Sequence, residues 1–169
     1  MILMRIMDSF LAFPGLILAL AMVSFLGASN LTIILAVGIV ATPGLARITR
    51  SQVLIERQRD FVDAAIVVGA SDARILLRHI LPNVASLIVV QASLNLAFAI
   101  LTEASLSFLG VGVPPPAASW GVMISEHASY YRTDPRLLVL PGAAIMLTVL
   151  AFNLFGDSLR DALDPHDWR

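Results

Sequence analysis

From Ser9 to Ala46 the chain carries no charged side chain. As one helix, at ~1.5 Å per residue, that run would far exceed the ~30 Å hydrocarbon core of a bilayer. A soluble fold of 169 residues has too little interior to hide it, so the solvent must include lipid. Composition agrees, with 58% hydrophobic and 14% charged residues, against ~45–50% and ~25% in soluble domains. The same balance excludes intrinsic disorder.

The run is too long for one crossing, so it should be two helices. The break fits Gly27-Ala28-Ser29-Asn30, where small and polar residues cluster. Spans are expected near 8–27 and 31–47. The uncharged stretch Ile80–Thr102, with Pro82-Asn83 as its start, predicts a third at 83–102, and Leu137–Gly156 a fourth at 137–156. The first is too long for a signal-peptide core and a second follows at once, so it is read as retained. Pro14, Pro43 and Pro141 fall within or at the ends of these spans and read as bends in a helix bundle. Gly38, Gly44, Ala92, Ser93, Gly142 and Ala143 read as close helix contacts. The expectation is one all-α transmembrane domain over 1–169.

Arginine sets the orientation. Arg47, Arg50, Arg57, Arg59, Arg74 and Arg78 lie between spans two and three, and Arg5, Arg160 and Arg169 lie near the ends. Only Arg132 and Arg136 fall on the other side. Nine against two predicts that both termini and loop 48–82 are cytoplasmic and that 103–136 is external. The net charge of −1 offers no basic field for nucleic acid. Lysine is absent, which removes the Walker A lysine and Schiff-base chemistry. Cysteine is absent too, which removes disulfides and thiolate sites. No cofactor is expected.

Loop 48–82 is the informative segment. Glu56–Val68 reads as a helix whose apolar face is Phe61, Ala64, Ala65 and Val68, with Arg59 and Asp63 spaced to pair. Gly69 should end it as a C-cap glycine. Ser71 should cap a second helix, with Asp72 in its first turn, Ile75, Leu76 and Ile80 as its stripe, and Pro82 closing the segment. The result is a helical hairpin on the cytoplasmic surface, either structural or a docking piece for a soluble partner.

Asp63-Ala64-Ala65, Gly69 four residues later, and Leu81-Pro82 about a dozen residues on resemble the EAA loop of ABC importer permeases, with Asp63 where glutamate is usual. Gly69-Ala70-Ser71-Asp72, His79-Ile80-Leu81-Pro82-Asn83, Glu103 to Gly110, Ser119-Trp120-Gly121 and Asn153 to Pro165 are similar to the dipeptide/oligopeptide/nickel permeases over essentially the whole chain. The resemblance implies a type I ABC importer permease in the cytoplasmic (inner) membrane of a prokaryote. It implies peptides as cargo, or nickel or another small solute. It implies a second permease subunit, two cytoplasmic ATPase subunits that hydrolyse the ATP, and an external substrate-binding protein. This chain would not itself be an enzyme. Asp63, Ala64, Ala65, Gly69, Ala70, Ser71, Leu81 and Pro82 would form the ATPase-coupling element. Such permeases usually carry about two further helices ahead of the segment matching Arg5-Ile6-Met7-Asp8, so the chain resembles their C-terminal core. The rival reading is a truncated, non-transporting scaffold derived from such a permease.

Glu103, at the outer end of span three, is expected at the interface, hydrated or paired with Arg132 or Arg136. The competing reading makes Glu103 and Trp120 candidates for the pathway or its external gate. Pro114-Pro115-Pro116 should be stiff, and Trp120, Tyr130 and Tyr131 suit a membrane–water interface, so Ala104–Tyr131 is expected to be interfacial or partly re-entrant. His79, His127 and His166 lack metal-ligand spacing, so no metal site is expected.

Overall fold

The computed structural model describes residues 2–163, and its regular elements are all helices. They are α1 (Ile2–Leu11), α2 (Gly15–Leu26), α3 (Asn30–Glu56), α4 (Asp60–Val67), α5 (Asp72–Ile75), α6 (Leu81–Phe108), α7 (Trp120–His127) and α8 (Arg136–Leu163). A π-helical turn, Leu76–Ile80, joins α5 to α6. Three helical segments are long and apolar enough to cross a membrane: α3, the continuous Asp72–Phe108 and α8. Counting the bent pair α1–α2 gives four.

The segment expected as a single span at 8–27 is broken. Pro14 donates no N–H and disfavours helical geometry at Phe13, and the axes of α1 and α2 meet at 92°. At ~18 Å, α2 alone is shorter than the hydrocarbon core. Arg47 Nη2 donates to Asp8 Oδ1 at 2.6 Å and ties α1 to α3. Pro43 and Pro141 lie inside continuous helices. The Gly27–Asn30 turn forms where expected: Gly27 has φ +86° and the Ser29 hydroxyl caps α3 by accepting from Thr32 N at 3.1 Å.

Two small cores form at opposite ends of α6. At one end Leu106 packs with Ala19, Val23, Ile33 and Ala36. At the other Val84 packs with Val62, Ala65, Ile75 and Ile80. Val84 and Leu106 are separated by ~33 Å along the helix, close to a hydrocarbon thickness. Between them α6 crosses α8 closely: a Cβ on Gly156 would meet Leu94 at 3.3 Å and the Ser93 Cβ at 3.4 Å. The remaining helix faces carry open apolar side chains such as Phe25, Ile34, Leu140 and Leu147, which only lipid or other helices can cover.

Candidate functional site

The hairpin at the Val84 end begins at Glu56, where α3 stops. The helix expected over Glu56–Val68 is interrupted at Arg57–Arg59 and restarts at Asp60. Arg59 pairs with Glu56 at 3.4 Å rather than with the expected Asp63. Glu56 is buried and also accepts from Gln52 Nε2. Sequence reasoning missed Glu56 as an anchor, although Gln52, Glu56 and Arg59 fall at i, i+4 and i+3 spacings that place them on one face.

Gly69 ends α4 as the glycine after a C-cap, with φ +78°. Its N–H donates to Ile66 O at 2.9 Å and the next N–H, of Ala70, donates to Ala65 O at 3.0 Å. That pair is the Schellman arrangement, and the Ala70–Ala65 contact supplies its apolar partner. Ser71 stands at the N-cap position of α5, but its hydroxyl makes no capping bond, so only its backbone carbonyl serves, accepting from Ile75 N at 2.9 Å.

The apolar face differs from the expected one. Val62 and Ala65 turn inward against Ile75, Ile80 and Val84, while Phe61, Ala64 and Val68 remain open. Leu76, expected in the inner stripe, is exposed. The reason is that α4 turns its Val62–Ala65 side toward Ile75, Ile80 and Val84, which takes Val62 into the core. Phe61, Ala64 and Val68 then line a groove of about 590 Å³, with Ala65 and Ala70 between the arms and Arg74, Arg78 and His79 along its other wall. An apolar floor beside two guanidinium groups suits a protein surface bearing an apolar knob flanked by carboxylates.

Pro82 does not close the hairpin. It sits in the first turn of α6, and the turn before it widens to π, with Leu81 N donating to Leu76 O. Asn83 Nδ2 donates to His79 O at 2.6 Å and satisfies a carbonyl there. The second arm therefore runs without interruption into α6, a 37-residue helical segment from Asp72 to Phe108. Of the eight coupling candidates, Asp63, Ala64, Gly69, Ser71, Leu81 and Pro82 are exposed, Ala70 is half-buried and Ala65 is buried.

At the far end of α6, Glu103 is half-buried and meets neither Arg132 nor Arg136. Its Oε1 accepts from Ser107 Oγ at 2.6 Å and from Ser119 Oγ at 2.9 Å. Ser119 is the N-cap of α7 and accepts from Gly121 N at 3.2 Å. Gly112 and Gly121 press against Ser107 and the Ala104 carbonyl, leaving no room for a Cβ. Residues 110–121 are thereby folded back onto α6, and α7 packs against both α6 and α8. Trp120 opens α7 and is partly exposed. His127 bonds its own helix through Met123 O, far from His79. His166, Arg169 and Asp164-Pro165 of the terminal motif lie outside the described residues.

The family described as "Binding-protein-dependent transport system inner membrane component" matches residues 1–166. The chain is 48% identical over 164 residues to the glutathione transport system permease protein GsiD of Shigella flexneri serotype 5b, covering 97% of this chain and 54% of that protein. The same figures hold for GsiD of Escherichia coli O157:H7. GsiD of Escherichia coli O1:K1 is 49% identical over 162 residues, 96% of this chain and 54% of its own length. The chain spans about half the length of the curated relatives it matches.

Proposed function

Because the chain belongs to the family of binding-protein-dependent transport system inner membrane components, we propose that it serves as a permease subunit of an ATP-driven importer, with the hairpin 60–80 as the seat for a cytoplasmic ATPase. The observation that carries this reading is the unbroken helical path from the hairpin's second arm into α6. A soluble motor can move membrane helices only through a stiff connection, and a flexible loop between Ile80 and Leu81 would absorb its stroke.

The open tip, with Asp63, Ala64, Gly69 and Ser71, meets the ATPase first in this proposal, and the groove beside Arg74 and Arg78 takes its apolar knob. Glu103 and Trp120 belong to the outer mouth of the pathway. A second permease covers the open helix faces, and an external binding protein delivers cargo. The arginine asymmetry puts the hairpin and both termini in the cytoplasm. The cargo proposed is a small peptide, since the relatives are named for glutathione transport; hydrolysis of ATP stays with the partner.

The test is co-expression of the full assembly, followed by affinity purification and uptake in proteoliposomes. The ATPase should be retained through the hairpin, and peptide uptake should require ATP and the binding protein. Retention that survives replacement of 60–80 by a flexible linker would refute the coupling role.

A further inference from the structure

We infer that Glu103 is a binding residue for one cationic group, an ammonium or a guanidinium, presented at the outer end of α6, with Ser107 and Ser119 as its positioning residues. The inference rests on the transport reading above and deepens it. Three observations carry it.

The first is the asymmetry of the carboxylate. Both hydroxyls donate to Oε1. Among the described residues none donates to the other oxygen, which is not sealed from the surface. A carboxylate whose only task was to staple α7 to α6 would be served by the one oxygen; here the second is left open to a ligand.

The second is the missing counter-charge. Among the described residues the ion pairs are Arg47–Asp8 and Arg59–Glu56, and no cation lies within 4.0 Å of Glu103. Carboxylates near membrane depth are paired or face water-filled paths.

The third is how firmly the group is held. Ser107 is 1% exposed and Ser119 8%. Ser107 is clamped by Gly112 and Gly121, which approach too closely for any side chain. Hydroxyls locked by packing hold the carboxylate in one orientation, the arrangement that lowers the ordering cost of binding a charged ligand. Trp120, next to Ser119 and partly exposed, adds an aromatic surface of the kind that cations favour.

Two sources present this chemistry: the free amino group of a peptide cargo, and an arginine or lysine of the second permease. The experiment uses the complete assembly in proteoliposomes, with Glu103→Gln, Glu103→Asp and wild type. The carboxamide oxygen of the Gln variant can still accept from both serines, so the staple survives while the charge is lost; the Asp variant keeps the charge. Uptake is measured with glutathione and a panel of di- and tripeptides, each with a free or an acetylated amino terminus. Retention of the second permease is measured on size exclusion.

If the cation is the cargo's, E103Q lowers uptake efficiency of free-amino peptides by about tenfold or more, the scale of a lost hydrogen bond to a charged group. Acetylated peptides are then unaffected, and E103D recovers most of the loss. If the cation is the partner's, E103Q sheds the second permease and E103D retains it, without altered preference between peptide forms. Uptake within twofold of wild type together with full retention of the partner overturns the inference, as does an E103D variant that fails as completely as E103Q. Wild-type assemblies that accumulate no probe refute the transport reading; loss of the second permease in E103Q with retention in E103D then still supports the cation site, and full retention in all three variants overturns it.

Discussion

Replacing Gly69 should uncouple the hairpin without preventing membrane insertion. Its φ of +78° lies in the left-handed region, and a Cβ built there meets nothing within 4 Å. The cost is therefore conformational, not steric. An ordinary L residue in that region costs about 1–2 kcal/mol, partly offset for alanine by ~0.4–1 kcal/mol from a less flexible unfolded chain. Valine is worse, because its branched Cβ makes positive φ a true outlier. If the turn yields, the bonds from Gly69 to Ile66 and from Ala70 to Ala65 go with it, at about 0.5–1.5 kcal/mol each. Gly69→Val therefore costs the hairpin about 1–3 kcal/mol, whether it holds the strained turn or gives up the two bonds, which a core of Val62, Ala65, Ile75, Ile80 and Val84 can ill absorb. Gly69→Asn should be close to wild type, Gly69→Ala intermediate and Gly69→Val severely impaired, with cargo-stimulated ATP hydrolysis in the full assembly falling at least tenfold. Resistance to alkaline extraction should stay unchanged in all three, because the spans do not involve the turn. Wild-type stimulation in the valine variant would refute the reasoning, and so would loss of insertion.

The two alanines of the hairpin should part company: Ala64→Asp, at an exposed position, should abolish ATPase retention in a folded chain, whereas Ala65→Asp places a charge in the hairpin core, should cost several kcal/mol and should show as proteolysis at 57–71. Gly121→Ala should lower the melting temperature in detergent by several degrees, since its Cβ would strike the Ala104 carbonyl and lie 2.8 Å from the Ser107 Cβ, while Gly142→Ala, with open space around it, should melt like wild type. Single cysteines at Ser71 and Ala118, both exposed in a chain with no native cysteine, should react oppositely with an impermeant thiol reagent in intact cells: 118 labelled and 71 protected, with the reverse pattern inverting the proposed orientation.

Three of the membrane helices and the Gly27 and Gly69 turns were legible in one dimension. An uncharged run longer than the bilayer is thick admits few alternatives, and a glycine after an apolar helix marks a left-handed cap wherever the helix goes. Both glycines have positive φ, and the EAA-like spacing marks a hairpin; Gly110, also at positive φ, carried no such signal. What sequence could not decide were matters of facing and direction. Whether Pro14 bends or breaks a helix depends on what α1 finds beside it, and Asp8 finds Arg47. Whether Pro82 stops a helix depends on whether the freed carbonyls gain other donors, and Asn83 and a π turn supply them. Ala64 and Ala65 have the same side chain, and only the packing of α4 against Ile75, Ile80 and Val84 buries one and opens the other. Glu103 finds its partners at Ser107, one turn away on its own helix, and at Ser119, sixteen residues on, after the chain has folded back. Lipid partition and backbone sterics act on each segment separately and so are written locally. The side of a helix that is buried, and the partner a carboxylate meets, are properties of two elements at once and exist only after they pack.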